Sequence, residues 1–81
     1  MAELTYKIRL IKEPEGGYTV SVPSLPGCIT YGENIDEAIS MAKEAIEFYI
    51  ESLVEHGEPV PTENNLLEYS LTVQPDIPQV A

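Results

Sequence analysis

The sequence predicts an α/β domain of the α+β kind: two layers in β-β-β-α-β order, a mainly antiparallel sheet carrying one long helix on one face. Three observations point there. Several short runs alternate apolar and polar residues, one long run repeats apolar residues every three or four positions, and turns rich in Gly and Pro separate them. Eighty-one residues leave room for a single core.

The first strand spans Leu4 to Leu10, where Leu4, Tyr6, Ile8 and Leu10 share one face and Thr5, Lys7 and Arg9 the other. Glu13 to Gly17, "EPEGG", is a turn in which Pro14 fixes φ and two glycines permit positive φ. "YTVSV" repeats the alternation with Tyr18, Val20 and Val22 inward, so the two runs form a hairpin. Pro23 has no N–H for a ladder and ends the second strand. Pro26-Gly27 makes another turn before a short third strand, "CITY".

The helix is predicted over Ile35 to His56. Asn34 caps its first turn, and Glu37 reaches back to complete a capping box. Ile35, Ala38, Ile39, Ala42, Ala45, Ile46, Tyr49, Ile50 and Leu53 form one apolar stripe. His56 suits the negative end of the helix dipole, and Gly57 suits the left-handed stop. After the loop "EPVPTENN", Leu67, Tyr69, Leu71 and Val73 alternate with Glu68, Ser70 and Thr72, predicting a fourth strand. The domain is therefore drawn over residues 1–74, and the proline-bearing stretch 75–81 is expected to be a flexible tail.

Composition narrows the function. Four Lys and Arg against fourteen Asp and Glu give a net charge of −10. Such a surface repels phosphate backbones, which argues against direct nucleic-acid binding; it would steer a basic partner, or serve only to keep a small protein soluble. One Cys and one His supply neither a disulfide nor a zinc site. A lone thiol fits a reducing, cytoplasmic compartment. No apolar run approaches the roughly 18 residues a membrane span needs. A domain this small has little core, and homo-oligomerisation into a dimer or tetramer is the expected source of further stability.

Candidate chemistry is sparse. A Cys28 nucleophile would need His56 as its base, and the two meet only if the helix folds back with its far end at the corner. The first two strands, Leu4 to Leu10 and Tyr18 to Val22, offer no acids for a metal-dependent nuclease site, and "EGGY" lacks the Lys and the helix of a phosphate-binding loop. No catalytic, cofactor-binding or metal residue is assigned. The outer side of the helix is more informative. Glu44, Glu47, Glu51 and Glu55 make an acidic ridge whose i,i+4 pairs each cost about 0.2–0.5 kcal/mol. Met41 and Phe48, one heptad apart, lie off the buried stripe. Together these six residues are the candidate contact surface for a partner or second subunit, the alternatives being a merely solvated acidic face and cover for Met41 and Phe48 from the loop after Gly57.

One stretch is distinctive as a whole: Tyr18, Val20 and Val22, then Pro23, Leu25, Pro26, Gly27 and Cys28, then Gly32, Glu33 and Asn34, then Glu37-Ala38 and Glu44-Ala45. It resembles the HicB-like antitoxin family, the UPF0150-type domain, over about the first two-thirds of the chain. The resemblance implies a reduced ribonuclease H-like fold, self-association, and an antitoxin role: masking a small basic HicA-type toxin that cleaves mRNA. Asn34 stands where the family often has Thr or Ser, and all three cap in the same way. Many family members add a C-terminal DNA-binding module, whereas no basic recognition helix follows the domain here, so autonomous DNA binding is not expected. The resemblance assigns no catalysis to Cys28, and the corner is read as backbone architecture in which Leu25 and Cys28 pack. Two other readings stay open. One is a ribonuclease H-like metal-dependent hydrolase relying on Glu33 or Asp36; the other is a solitary, self-associating structural module.

Overall fold

Strand pairing starts later along the chain than the alternation predicts. In the computed structural model, which describes residues 3–78, β1 is Arg9–Lys12, β2 is Tyr18–Ser21, β3 is Ile29–Gly32 and α1 is Ile35–Glu55. The three strands form one antiparallel sheet in the order β1-β2-β3. Leu10 lies opposite Val20, which lies opposite Thr30. Extending the Arg9–Ser21 register backwards would set Lys7 beside Pro23, which has no N–H to give. Residues 3–8 therefore run on unpaired, although Tyr6 and Ile8 still turn their half-buried side chains inward as the alternation requires. The layers and the strand sense match the expected α+β arrangement.

The corner between β2 and β3 is a chain of tight turns. Val22 N–H donates to Cys28 C=O at 3.1 Å, Leu25 N–H to Val22 C=O at 3.0 Å, and Cys28 N–H to Leu25 C=O at 3.0 Å. Gly27 has φ +80, a left-handed conformation that a side chain would strain. Leu25 and Cys28 point from this corner into the core.

The core has two adjoining parts. Val20, Ala38 and Ala42 are packed by Ile8, Leu10 and Tyr18; Val22, Leu25 and Cys28 are packed by Tyr6, Ala45, Ile46 and Tyr49. Alanines on the helix let α1 approach the sheet closely, and at Gly32 the approach is closest. A Cβ there would collide with the backbone of Ala38.

Asn34 sits in extended conformation, and its Oδ1 accepts from Glu37 N–H at 2.8 Å. The reciprocal bond differs from the predicted box: Glu37 Oε1 accepts from Glu33 N–H, at 2.8 Å, one residue before the cap. Asp36 and Glu37 lie in the first turn, where the helix dipole favours negative charge. The predicted His56 end becomes the cap, one residue past the last helical position. Glu58 N–H then donates to Leu53 C=O at 2.9 Å and Gly57 N–H to Val54 C=O at 3.1 Å, the paired bonds of a Schellman stop.

Two further expectations are corrected. Ile35 and Ile39, placed on the buried stripe, are each 50 % exposed. They flank the sheet beside Tyr18 and Ile8, and three four-residue strands are too narrow a layer to cover them. The fourth strand is absent from the described residues: Leu66 to Val73 has no regular structure, and its apolar side chains are in solvent. The chain after α1 crosses residues 6 and 7 and does not run along the edge of β1. It projects far enough to give a radius of gyration of 16.6 Å and extents of 54 × 32 × 19 Å, against about 12 Å for the radius of a compact chain of this length. Of the tail expected over 75–81, residues 75–78 are irregular and exposed, and 79–81 lie outside the described residues.

Candidate protein-contact surface

With Ala38 and Ala42 turned to the sheet, helical geometry sends the opposite side of α1 to solvent. Met41, Glu44, Glu47, Phe48, Glu51 and Glu55 are all exposed, Phe48 at 75 %. The six do not form one patch. Phe48 borders an open groove between α1 and the corner, where it meets Ala45, Ser52, Gly27, Cys28 and Ile29. Glu47 and Glu51 lie on the other flank of the helix, with Leu4, Tyr6 and Lys43 beside them.

A hydrogen bond sets the groove's width. Tyr49 on α1 donates from its hydroxyl to Pro26 C=O at 2.8 Å, tying the helix to the corner. Ile29 is 65 % exposed on the outer side of β3, so an aromatic ring and a branched aliphatic chain flank the same groove. Sequence reasoning singled out Phe48 but not Ile29. In a strand that carries apolar residues at Ile29 and Tyr31 and also a buried Cys28, alternation alone does not tell which face is inner.

The helix does fold back over the corner, the condition for a Cys28–His56 pair. The pair is nevertheless not made. His56 Nδ1 donates to Ser52 C=O at 2.7 Å, and Cys28 is buried, which pushes its thiol pKa up. A buried, protonated thiol is a packing group. Glu33 and Asp36 lie at the start of the helix near Lys12 and Tyr18. Among the described residues no three His, Cys, Asp or Glu side chains converge in a metal-binding arrangement, and no helix is long and apolar enough to cross a membrane.

A polar cluster around Glu63 was not anticipated. Its carboxylate accepts from Ser24 Oγ at 2.7 Å and from Lys7 N–H at 3.2 Å, with Lys7 Nζ at 3.6 Å. The Ser24 hydrogen bond, then those of Lys7 and its charge, hold the Glu63 pKa below the ordinary value. Beside it, the Tyr6 hydroxyl donates to Pro61 C=O, and burial together with the Glu63 charge raises the Tyr6 pKa. The cluster fastens the loop after α1 to the unpaired segment before β1. A single Glu within "PTENN" carries no local pattern that would announce it.

A family model described as the HicB-like antitoxin of bacterial toxin–antitoxin systems matches residues 6–79. A UPF0150 protein of Thermoplasma acidophilum is 46 % identical over 61 residues, covering 75 % of this chain and 88 % of that protein. A UPF0150 protein of Synechocystis is 44 % identical over 63 residues, covering 78 % and 80 %. The antitoxin HicB of Escherichia coli K12 is 34 % identical over 76 residues, covering 86 % of this chain but 55 % of its own length. The chain thus spans about half of that antitoxin. With nearly its whole length matched, and with the corner, the capped helix and the three-stranded sheet in place, the chain belongs to the HicB-like antitoxin family.

Proposed function

We propose that this chain is an antitoxin domain that works by masking a toxin, making and breaking no bonds itself, and that the toxin is a small basic protein of the HicA type that cleaves mRNA. The observation that carries the reading is Phe48: a large apolar ring 75 % exposed on a helix whose neighbouring exposed positions are glutamates, in a chain of charge −10. An aromatic anchor on an acidic helix suits a basic protein surface, with the ring supplying buried area and the carboxylates supplying steering. Met41, Glu44 and Glu55 are the further contact candidates on the exposed side of α1, and Glu47 and Glu51, on its other flank, act by steering. A reducing, cytoplasmic setting accords with the single buried thiol.

Co-expression with a HicA-type protein and purification through a tag on one of them tests this. The two are expected to purify together, and the mixture to lose the toxin's RNA cleavage. Phe48→Glu should weaken the complex at least tenfold while leaving the helix content unchanged. Equal binding by that variant would remove Phe48 from the interface. RNA cleavage by the isolated chain, lost in Glu33→Gln or Asp36→Asn, would replace the masking reading with a hydrolytic one.

A further inference from the structure

The run from Leu66 to Val73 has the period of a half-buried strand and no partner in a single chain. Leu67, Tyr69, Leu71 and Val73 are 76, 81, 85 and 71 % exposed, with Glu68, Ser70 and Thr72 between them. Four large apolar side chains on one side of an extended segment are the pattern of a strand covered on one face. The sheet, in the order β1-β2-β3, offers two unpaired edges. We propose that residues 66–73 form a β-strand in trans, laid along the β1 edge of a second copy of this chain, each copy lending its arm to the other.

Where the arm begins favours β1 over β3. Glu63 is fastened to Lys7 and Ser24, and Tyr6 to Pro61, so the loop reaches the sheet on its β1 side. Lys7 Nζ lies 3.5 Å from Glu68, which places the root of the arm at the same edge. Those fastenings also turn the chain across residues 6 and 7, so beyond Glu68 the arm leads away from its own sheet. Pro59 and Pro61 keep the first part of the connection extended, and the chain then turns at Asn64-Asn65, where Leu66 N–H donates to Glu63 C=O at 3.1 Å, before the arm leaves. An arm joined through an open, proline-bearing hinge is suited to exchange between identical chains.

Charge favours a second copy of this chain as the occupant. Its four cations are Lys7, Arg9, Lys12 and Lys43, so three of them lie in and just before β1. A chain of −10 repels its own kind almost everywhere. The β1 edge is the exception, and the arm that would meet it is nearly uncharged, with Glu68 and Asp76 as the only ionised side chains between residues 64 and 78. A basic partner would meet three cations at that edge. The core argues in the same direction. Its largest fully buried side chains are Leu25 and Val20, and covering Leu67, Tyr69, Leu71 and Val73 would enlarge it appreciably. This proposal concerns the isolated chain and stands apart from the toxin.

A mixed-chain experiment tests it. A nitroxide is attached at Ser70→Cys, an exposed position, in a Cys28→Ala background, and this chain is equilibrated with isotopically labelled chain carrying no nitroxide. The amide signals of Arg9 to Lys12 in the labelled copy are expected to broaden, and light scattering to report twice the 9.0 kDa chain mass. Leu71→Asp should restore the 9.0 kDa mass with helix content unchanged, since Leu71 touches none of the core. Broadening confined to samples that carry both labels on one chain would mean the arm closes on its own sheet, and would overturn the proposal. So would a 9.0 kDa mass for the unaltered chain at high micromolar concentration, or a doubled mass that survives Leu71→Asp.

Discussion

Two regions of this chain carry apolar residues at a regular spacing, and their fates differ. Along α1 the stripe through Ala38 and Ala42 is buried against Val20, while along Leu67 to Val73 an equally regular alternation is in solvent. The difference lies in where each element finds its hydrogen bonds. A helix satisfies its backbone from within, so α1 can form first and then present a face to the sheet. A strand has no internal bonds and exists only beside another strand. Next to α1, the corner between β2 and β3 supplies Leu25 and Cys28 as ready partners. Next to residues 66–73, the Glu63 fastening turns the chain across the only nearby edge. Periodicity marks a face, and a neighbour decides whether that face is buried.

The contrast can be broken most severely at its packed end. Leu25, fully buried in the corner, should cost about 3 kcal/mol as Leu25→Ala, by lost transfer energy and the cavity left behind. Denaturant titration measures this, and a loss under 1 kcal/mol would mean that the corner does not bear on the helix. Gly32→Ala comes next, at about 2 kcal/mol, because its Cβ must displace the first turn of α1 from the sheet. An unchanged denaturation midpoint would show that the helix can shift without loss. Asn34→Ala removes the acceptor for Glu37 N–H and should cost about 1 kcal/mol, visible in the same titration.

The smallest effect belongs to the weakly held region and depends on pH. Glu63 has its folded pKa lowered from an ordinary 4.5, first by Ser24 and then by Lys7. A depressed carboxylate contributes its stabilisation fully above the unfolded value and loses it as pH falls through the folded one. Stability should therefore decline below about pH 4.5, and Glu63→Gln should flatten that part of the profile. Thermal melts at neutral and acid pH would show it. An unchanged acid slope would mean that the loop after α1 is not fastened by this carboxylate.

Much of the packed region is legible in the residues themselves. Asn34, Glu37 and Gly57 bracket α1 to within one residue, because caps are local chemistry. Pro23, Pro26 and Gly27 announce the corner for the same reason. The first strand is legible in its inward face, Tyr6, Ile8 and Leu10, but not in its ladder, since which residues pair depends on Pro23 in another strand. The contact surface divides in the same way. The exposure of Phe48 follows from its angle on the helix, whereas Ile29 joins the same groove only because Tyr49 ties α1 to Pro26.

The sequence by itself determined the elements whose bonds are near in the chain: the hairpin turn, the corner, the capped helix, and the alternating faces of every extended run. Only the tertiary structure decided which of those faces are covered. Burial needs a second surface distant in the chain, and one crossing contact, Glu63 on Lys7, sent the last apolar run away from its own sheet and into solvent.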